Sequence, residues 1–224
     1  VLDERGYLTE VTASCGPLIY RGGAFPDAYN QNAFVCVPEA NLIKRNTLNF
    51  NNLQTVANQA IEGKEFIAST DEGFRPVNIF NGPDGAMYIV DMHRGIIQHK
   101  AYISQYLAEQ LAEKKLDTLQ NAGRILKVVS KTSKLNPIPD LSKATTKDLV
   151  ALLSHPNGWL RDRSQQILIQ KNDKTIVKNL IDLAKSSNEF STAIHALYVL
   201  NGLNVLNFGI LSDVIAQSKQ PDTI

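Results

Sequence analysis

Five ionisable residues gather around one turn in the middle of this chain: Asp71 and Arg75 before it, Asp91, His93 and Arg94 after it. Carboxylates and an imidazole can move protons, and guanidinium groups can hold an anion with two parallel hydrogen bonds. The turn is Asn81-Gly-Pro-Asp-Gly85, where glycine supplies positive φ and proline pre-sets the bend. It separates two apolar runs, Pro76 to Phe80 and Ala86 to Val90, so the segment predicts an antiparallel hairpin. Counting outward from Pro83 or Asp84 sets Arg75 opposite Asp91 to Met92. The five groups then meet at one rim, at the end of the hairpin away from the turn. Asp84 itself reads as a turn residue, not a ligand.

The elements that must position this rim change in kind along the chain. Up to Val129 the pattern is short β-type runs between Gly, Pro, Asn and Asp turns: Gly6 to Val11, Pro17 to Tyr20, Ala33 to Val37, Asn41 to Arg45, Thr55 to Ile61, Glu65 to Ser69 and Arg124 to Val129. Ala101 to Asp117 interrupts them with Ile103, Leu107, Leu111 and Leu116 near helical spacing, which predicts a helix inserted between two strands. Residues 131–142 are polar with two prolines and read as a linker. From residue 143 the period is helical, with expected helices over Thr146 to Ser154, Gly158 to Gln170, Asp173 to Lys185, Phe190 to Leu203 and Phe208 to Gln217. Short helices in antiparallel succession fit a helical-pair repeat.

With 224 residues, 43% apolar and 20% charged, the chain has the composition of a folded, soluble protein. A net charge of +1 gives no reason to expect nucleic acid or an anionic membrane as partner. No run approaches the apolar length of a membrane span. An opening at Val1, without Met, reads as a piece of a longer protein. The two cysteines, Cys15 and Cys36, end apolar runs on either side of a turn-rich loop centred near Phe25 and Pro26. On facing strands they could bond, which would imply an oxidising compartment; two buried thiols are the other reading.

Some phrases are more specific than composition. Gly-Pro-Asp-Gly-Ala-Met-Tyr-Ile-Val-Asp91, closed by Gly123-Arg-Ile-Leu-Lys-Val128, resembles the closing blade of quinoprotein glucose/sorbosone-dehydrogenase-like β-propellers. Cys15-Gly-Pro-Leu-Ile-Tyr-Arg-Gly22, Asn41-Leu-Ile-Lys-Arg45 and Glu65-Phe-Ile-Ala-Ser-Thr-Asp71 look like the large bacterial proteins called membrane-bound dehydrogenases. Asp148 to Asp162 is similar to the start of their helical part. The resemblance implies a mixed β and α fold: a partial β-propeller of about two blades (residues 1–130), the linker, and a HEAT-like α-helical domain (143–224). It also implies a periplasmic or extracellular setting, with the longer parent associated with a membrane, and a cytochrome domain as electron acceptor. No Cys-x-x-Cys-His occurs, so this chain carries no haem motif of its own. Where relatives often place an aromatic before Phe74-Arg-Pro76, this chain has Gly73.

In that fold Asp71, Phe74 and Arg75 share a face with Asp91, His93 and Arg94, and Thr12 and Ser14 share it with Glu39 and Asn41. That face is where quinoprotein propellers hold pyrroloquinoline quinone (PQQ). The resemblance thus assigns Arg75, Arg94 and Asp71 to the cofactor, and Glu39 and Asn41 to a sugar or other alcohol substrate. His93 becomes the base that takes the hydroxyl proton, oriented by Asp91 or Asp71. A non-catalytic reading competes: a protein- or glycan-binding platform in which Arg75 and Asp91 form a cross-strand salt bridge and His93 is a hydrogen-bonded rim residue. Asp71, Asp91 and Glu39 offer hard oxygens, but without EF-hand spacing no metal is assigned. Open blade edges would invite self-association.

Overall fold

The computed structural model describes residues 3–4, 11–51, 54–132 and 135–217. Two antiparallel sheets and six α-helices form the chain, and neither sheet closes into a barrel or propeller among the described residues. It divides into two compact units, residues 1–82 with 86–134, and residues 83–85 with 135–224.

In the first unit, one sheet runs in the order β1 (Cys15–Ile19), β2 (Ala33–Val37), β3 (Leu42–Asn51), β4 (Gln54–Gln59), with the two-residue β5 (Ile67–Ala68) also paired to β3. The expected strand Gly6 to Val11 lies, except for Val11, outside the described residues. Of the expected run Asn41 to Arg45, all but Asn41 proves to be the start of a longer strand, whereas Glu65 to Ser69 is strand only at its centre. The second sheet is β6 (Pro76–Asn81), β7 (Met87–Asp91) and β8 (Arg124–Val128). Gly16 lets the two sheets approach. Its φ is +54°, and a Cβ there would lie 2.6 Å from both the Asn78 Cα and the Val77 carbonyl oxygen.

Alternation builds the core. Phe34 and Cys36 of β2, and Met87 and Ile89 of β7, point inward to meet Tyr20, Phe25, Ile43, Phe74 and Ile79. The same period of two carries one step further, so that Asp91 also points inward, as a fully buried carboxylate. Every residue of β4, by contrast, is exposed.

The single helix expected over Ala101 to Asp117 is broken into three pieces. A 3-10 turn spans Lys100–Tyr102, α1 covers Gln105–Glu113, and a second 3-10 turn spans Leu116–Thr118. Ser104 starts α1 by accepting a hydrogen bond from the Leu107 N–H at 3.2 Å, and Lys115, at φ +54°, ends the run.

The second unit holds α2 (Thr146–Leu152), α3 (Gly158–Lys171), α4 (Val177–Ser186), α5 (Phe190–Gly202) and α6 (Phe208–Gln217). Helix α2 packs on α3, α3 on α5, and α4 on both α5 and α6. Leu149, Leu153, Leu168, Leu180, Leu200 and Val214 fill the space between them. Side-chain caps set the boundaries: Thr145 and Asp148 form a reciprocal capping box on α2, and buried Asn157 accepts from the Trp159 N–H at 2.9 Å to start α3. Asn157→Ala should therefore cost about 1–2 kcal/mol of stability, read as a lower urea midpoint with unchanged slope. His195 sits inside α5 with Nδ1 2.7 Å from the Gln165 side-chain oxygen, a satisfied histidine and not a ligand.

Candidate functional site

The β6–β7 register sets Pro76 against Asp91, and the Met92 N–H donates to the Arg75 carbonyl at 3.0 Å. Asp71, Arg75, Asp91 and His93 do come together at that end of the sheet. Their partners differ from those the residue types alone suggest.

Asp91 is the hub. One carboxylate oxygen accepts from the backbone N–H groups of Arg75 (2.7 Å) and His93 (2.9 Å), and the other accepts from Arg124 Nε at 2.8 Å. It is thus fully engaged and fully buried, and cannot reach a substrate. Its hold on His93 is through that residue's backbone N–H and not through the ring.

Arg75 fastens backbone instead of binding an anion. Its Nη1 donates to the Pro38 and Glu39 carbonyls at 2.7 and 3.3 Å, Nη2 to Gly95 at 2.8 Å, and Nε to Arg94 at 3.2 Å. Burial lowers its pKa from the usual arginine value. A guanidinium placed against four carbonyls has no free fork in this arrangement to offer the cofactor carboxylate expected of it. Arg94 enters the cluster through its carbonyl only, and the residue is otherwise exposed.

Arg124, the first residue of β8, is the member that sequence reading missed. Paired in register with Asp91, it also reaches the second oxygen of Asp71 with Nη2, at 3.2 Å. The motif opening Gly123-Arg124 carried a signal, but nothing in the sequence fixed the register across residues 92–123.

Asp71 and His93 form the exposed part. His93 Nε2 lies 3.2 Å from the Asp71 Oδ2 that Arg124 also contacts. The other Asp71 oxygen accepts from the Gly73 N–H at 2.9 Å. Gly73 has a steric reason to stand where an aromatic might: a Cβ there would come within 3.1 Å of both His93 Nε2 and Asp71 Oδ1. His93 itself has φ +41°, in the left-handed region that costs a non-glycine residue energy. Strain of this kind persists where surrounding bonds hold the residue, here the Asp91 carboxylate on its N–H.

Asp71 has its pKa lowered, first by the Gly73 N–H and then by the bonds from His93 and Arg124, which outweigh partial burial. The native state therefore binds this proton less readily than the unfolded chain does. Its contribution to stability is complete above the ordinary carboxylate pKa of about 4 and is lost as pH falls through the lower native value. Asp71→Asn should remove this component, so that the variant loses less stability than the parent chain between about pH 5 and pH 3 in urea titrations.

Glu39 and Asn41, expected to face a substrate, are turned to the chain. The Glu39 carboxylate accepts from Thr12 Oγ1 at 2.7 Å and from the Ala13 N–H at 2.8 Å. Asn41 Nδ2 donates to the Phe74 carbonyl at 2.7 Å. Cys15 and Cys36, the pair expected either to bond or to stand as two thiols, face each other in register, and both are free thiols. The Cys36 thiol is pushed up to about 12 by burial and by Cys15 beside it. Among the described residues no group of His, Cys, Asp and Glu is arranged to hold a metal ion, and no helix is long and apolar enough to cross a membrane.

A family model described as a domain of unknown function, DUF7133, matches residues 2–132. That is more than half of the 224 residues. The chain belongs to the DUF7133 family. The DUF7133 match takes in both sheets and every residue of the rim, and it ends before α2. Neither the curated proteins nor the solved structures gave a match.

Proposed function

We propose that this chain is the closing part of a quinoprotein-type dehydrogenase related to the bacterial membrane-bound dehydrogenases. Its sheets are then the last blades of a β-propeller, its helices a HEAT-like extension, and its setting periplasmic or extracellular. The rim supplies the proton acceptor for oxidation of a sugar or other alcohol. The observation that carries this reading is the Asp71–His93 pair at 3.2 Å, with the ring partly exposed and Gly73 leaving it room.

The chemistry assigned to these residues is general base catalysis. With Nε2 hydrogen-bonded to Asp71, Nδ1 is the nitrogen left to accept a hydroxyl proton, and no partner for it is found among the described residues. Asp71 then stabilises the imidazolium that forms. Arg124, sharing the Asp71 oxygen, holds that carboxylate in place as a positioning residue.

The fit to PQQ is partial. A quinone would accept the electrons of the alcohol, but Arg75 is closed to its carboxylates, and Arg94 is the one expected guanidinium whose side chain is left exposed. Titration of the protein with PQQ, followed by quinone absorbance, tests the assignment. Binding at micromolar cofactor that weakens in Arg94→Ala supports it. Absence of binding would leave a second reading in front: a propeller and HEAT-like platform for proteins or glycans. That reading is favoured by one observation, that Arg75 and Asp91 are both spent on fastening backbone.

A further inference from the structure

Cys15 and Cys36 form a second pair of groups that can react with one another, apart from Asp71 and His93. They are direct partners across the β1–β2 ladder, and the register lapses between Cys15 and Leu18, so Cys15 pairs in isolation from the rest of β1. Opposed residues of an antiparallel ladder have Cα atoms about 4.5–5.5 Å apart, inside the ~4.4–6.8 Å that a disulfide spans. The two thiols differ in access. Cys36 is fully buried in the core with Phe34 and Ile43, whereas Cys15 is half-buried.

The backbone on either side of Cys15 is fixed. Before it, Thr12 Oγ1 and the Ala13 N–H donate to the Glu39 carboxylate at 2.7 and 2.8 Å. After it, Gly16 lies so close to Val77 and Asn78 of β6 that a Cβ would not fit. Cys15 therefore stands against Cys36 without a continuous ladder to hold it there. The Cys36 thiol is pushed up by burial first and then by the negative charge that Cys15 would carry, as befits two neighbouring sulfurs. A thiol so held is a poor first nucleophile, which leaves the half-buried Cys15 as the one a reagent meets.

We propose that Cys15 and Cys36 are a site of reversible oxidation by a low-molecular-weight disulfide such as glutathione disulfide, with Cys15 the entry thiol and Cys36 the resolving one. Cys15 gives up its proton and attacks one sulfur of the reagent. The reagent's S–S bond breaks, and its other half leaves and takes up a proton. Cys36 then gives up its proton and attacks the Cys15 sulfur, releasing the second half in the same way. Two protein thiols are oxidised and one disulfide is reduced to two thiols, so no further oxidant is needed. The second step requires contact with Cys15 alone, and burial of Cys36 does not obstruct it. The new bond closes residues 16–35 into a loop and supplies the tie that the lapsed ladder lacks.

Equilibration of the reduced full chain in glutathione buffers of rising disulfide content, followed by intact mass, tests this. The product should be lighter by two hydrogen atoms, monomeric and free of retained glutathione. A bond that the fold favours stabilises that fold in return, so the oxidised chain should have the higher urea midpoint. For the same reason, half-oxidation of the native chain should need about tenfold less glutathione disulfide than in denaturing urea, or less still. Cys36→Ala should stop at a glutathione adduct on Cys15, and native Cys15→Ser should stay unmodified. Two thiols persisting under excess glutathione disulfide would overturn the proposal. So would a parent chain that stops at the adduct, bonds only between chains, or needs as much reagent folded as unfolded.

Discussion

Asp91→Ala should cost about 3–5 kcal/mol of folding stability, the penalty for removing one partner from a buried network of charge and hydrogen bonds. Three donors would lose their acceptor together: the N–H groups of Arg75 and His93, and Arg124 Nε. The carboxylate is fully buried, so water does not readily take its place. Asp91→Asn keeps the shape but turns an NH₂ group toward donors, so it should fall between the parent chain and Asp91→Ala. Urea unfolding monitored by circular dichroism measures both. A loss below about 1 kcal/mol for the alanine variant would show that this carboxylate counts for no more than an exposed ion pair.

His93→Asn should lower kcat for alcohol oxidation by the assembled dehydrogenase about 10²–10⁴-fold, the usual contribution of a positioned general base. Asparagine is the informative replacement because it tolerates positive φ better than most residues, and position 93 sits at φ +41°. The backbone stays as it is while the base is removed. KM should change little, and the limb of the pH profile due to an ionising imidazole should disappear. Asp71→Asn should lower kcat too, by less, since the imidazole remains but loses the carboxylate that holds it. If His93→Asn retained parental kcat with the same pH profile, the imidazole would be a hydrogen-bonded rim group and nothing more.

Local chemistry made the hairpin legible in the sequence. A dense turn at residues 81–85 and alternation on both sides fix the register of β6 against β7, and with it the nearness of Arg75 to Asp91. Side-chain partners were not legible in the same way. Counting places Arg75 beside Asp91 but cannot say that its backbone N–H meets the carboxylate while its guanidinium turns to four carbonyls. Those carbonyls belong to residues 38, 39, 94 and 95, and only the tertiary fold brings them together.

Arg124 was hidden for a related reason. Residues 92–123 intervene, and no local rule counts register across them. The break in the expected helix over 101–117 could in part be anticipated from Ser104, a good cap placed inside an apolar pattern. The cysteines show the limit of strand counting. Their facing positions follow from the hairpin, but the irregularity in β1 between Cys15 and Leu18 is a one-residue matter that turn-centred counting does not see.

The long excursion between β7 and β8 has a further consequence. Docking β8 closes a loop of residues 92–123, and that ordering must be repaid by one ladder and by the bonds of Arg124. The strand is therefore the natural place for this sheet to open first. Each such opening would carry Arg124 away from Asp71 and leave His93 as the remaining side-chain partner of that carboxylate oxygen. The hold on the Asp71 carboxylate, and with it the placing of the imidazole, would then loosen and tighten with a breathing motion at the edge of the sheet.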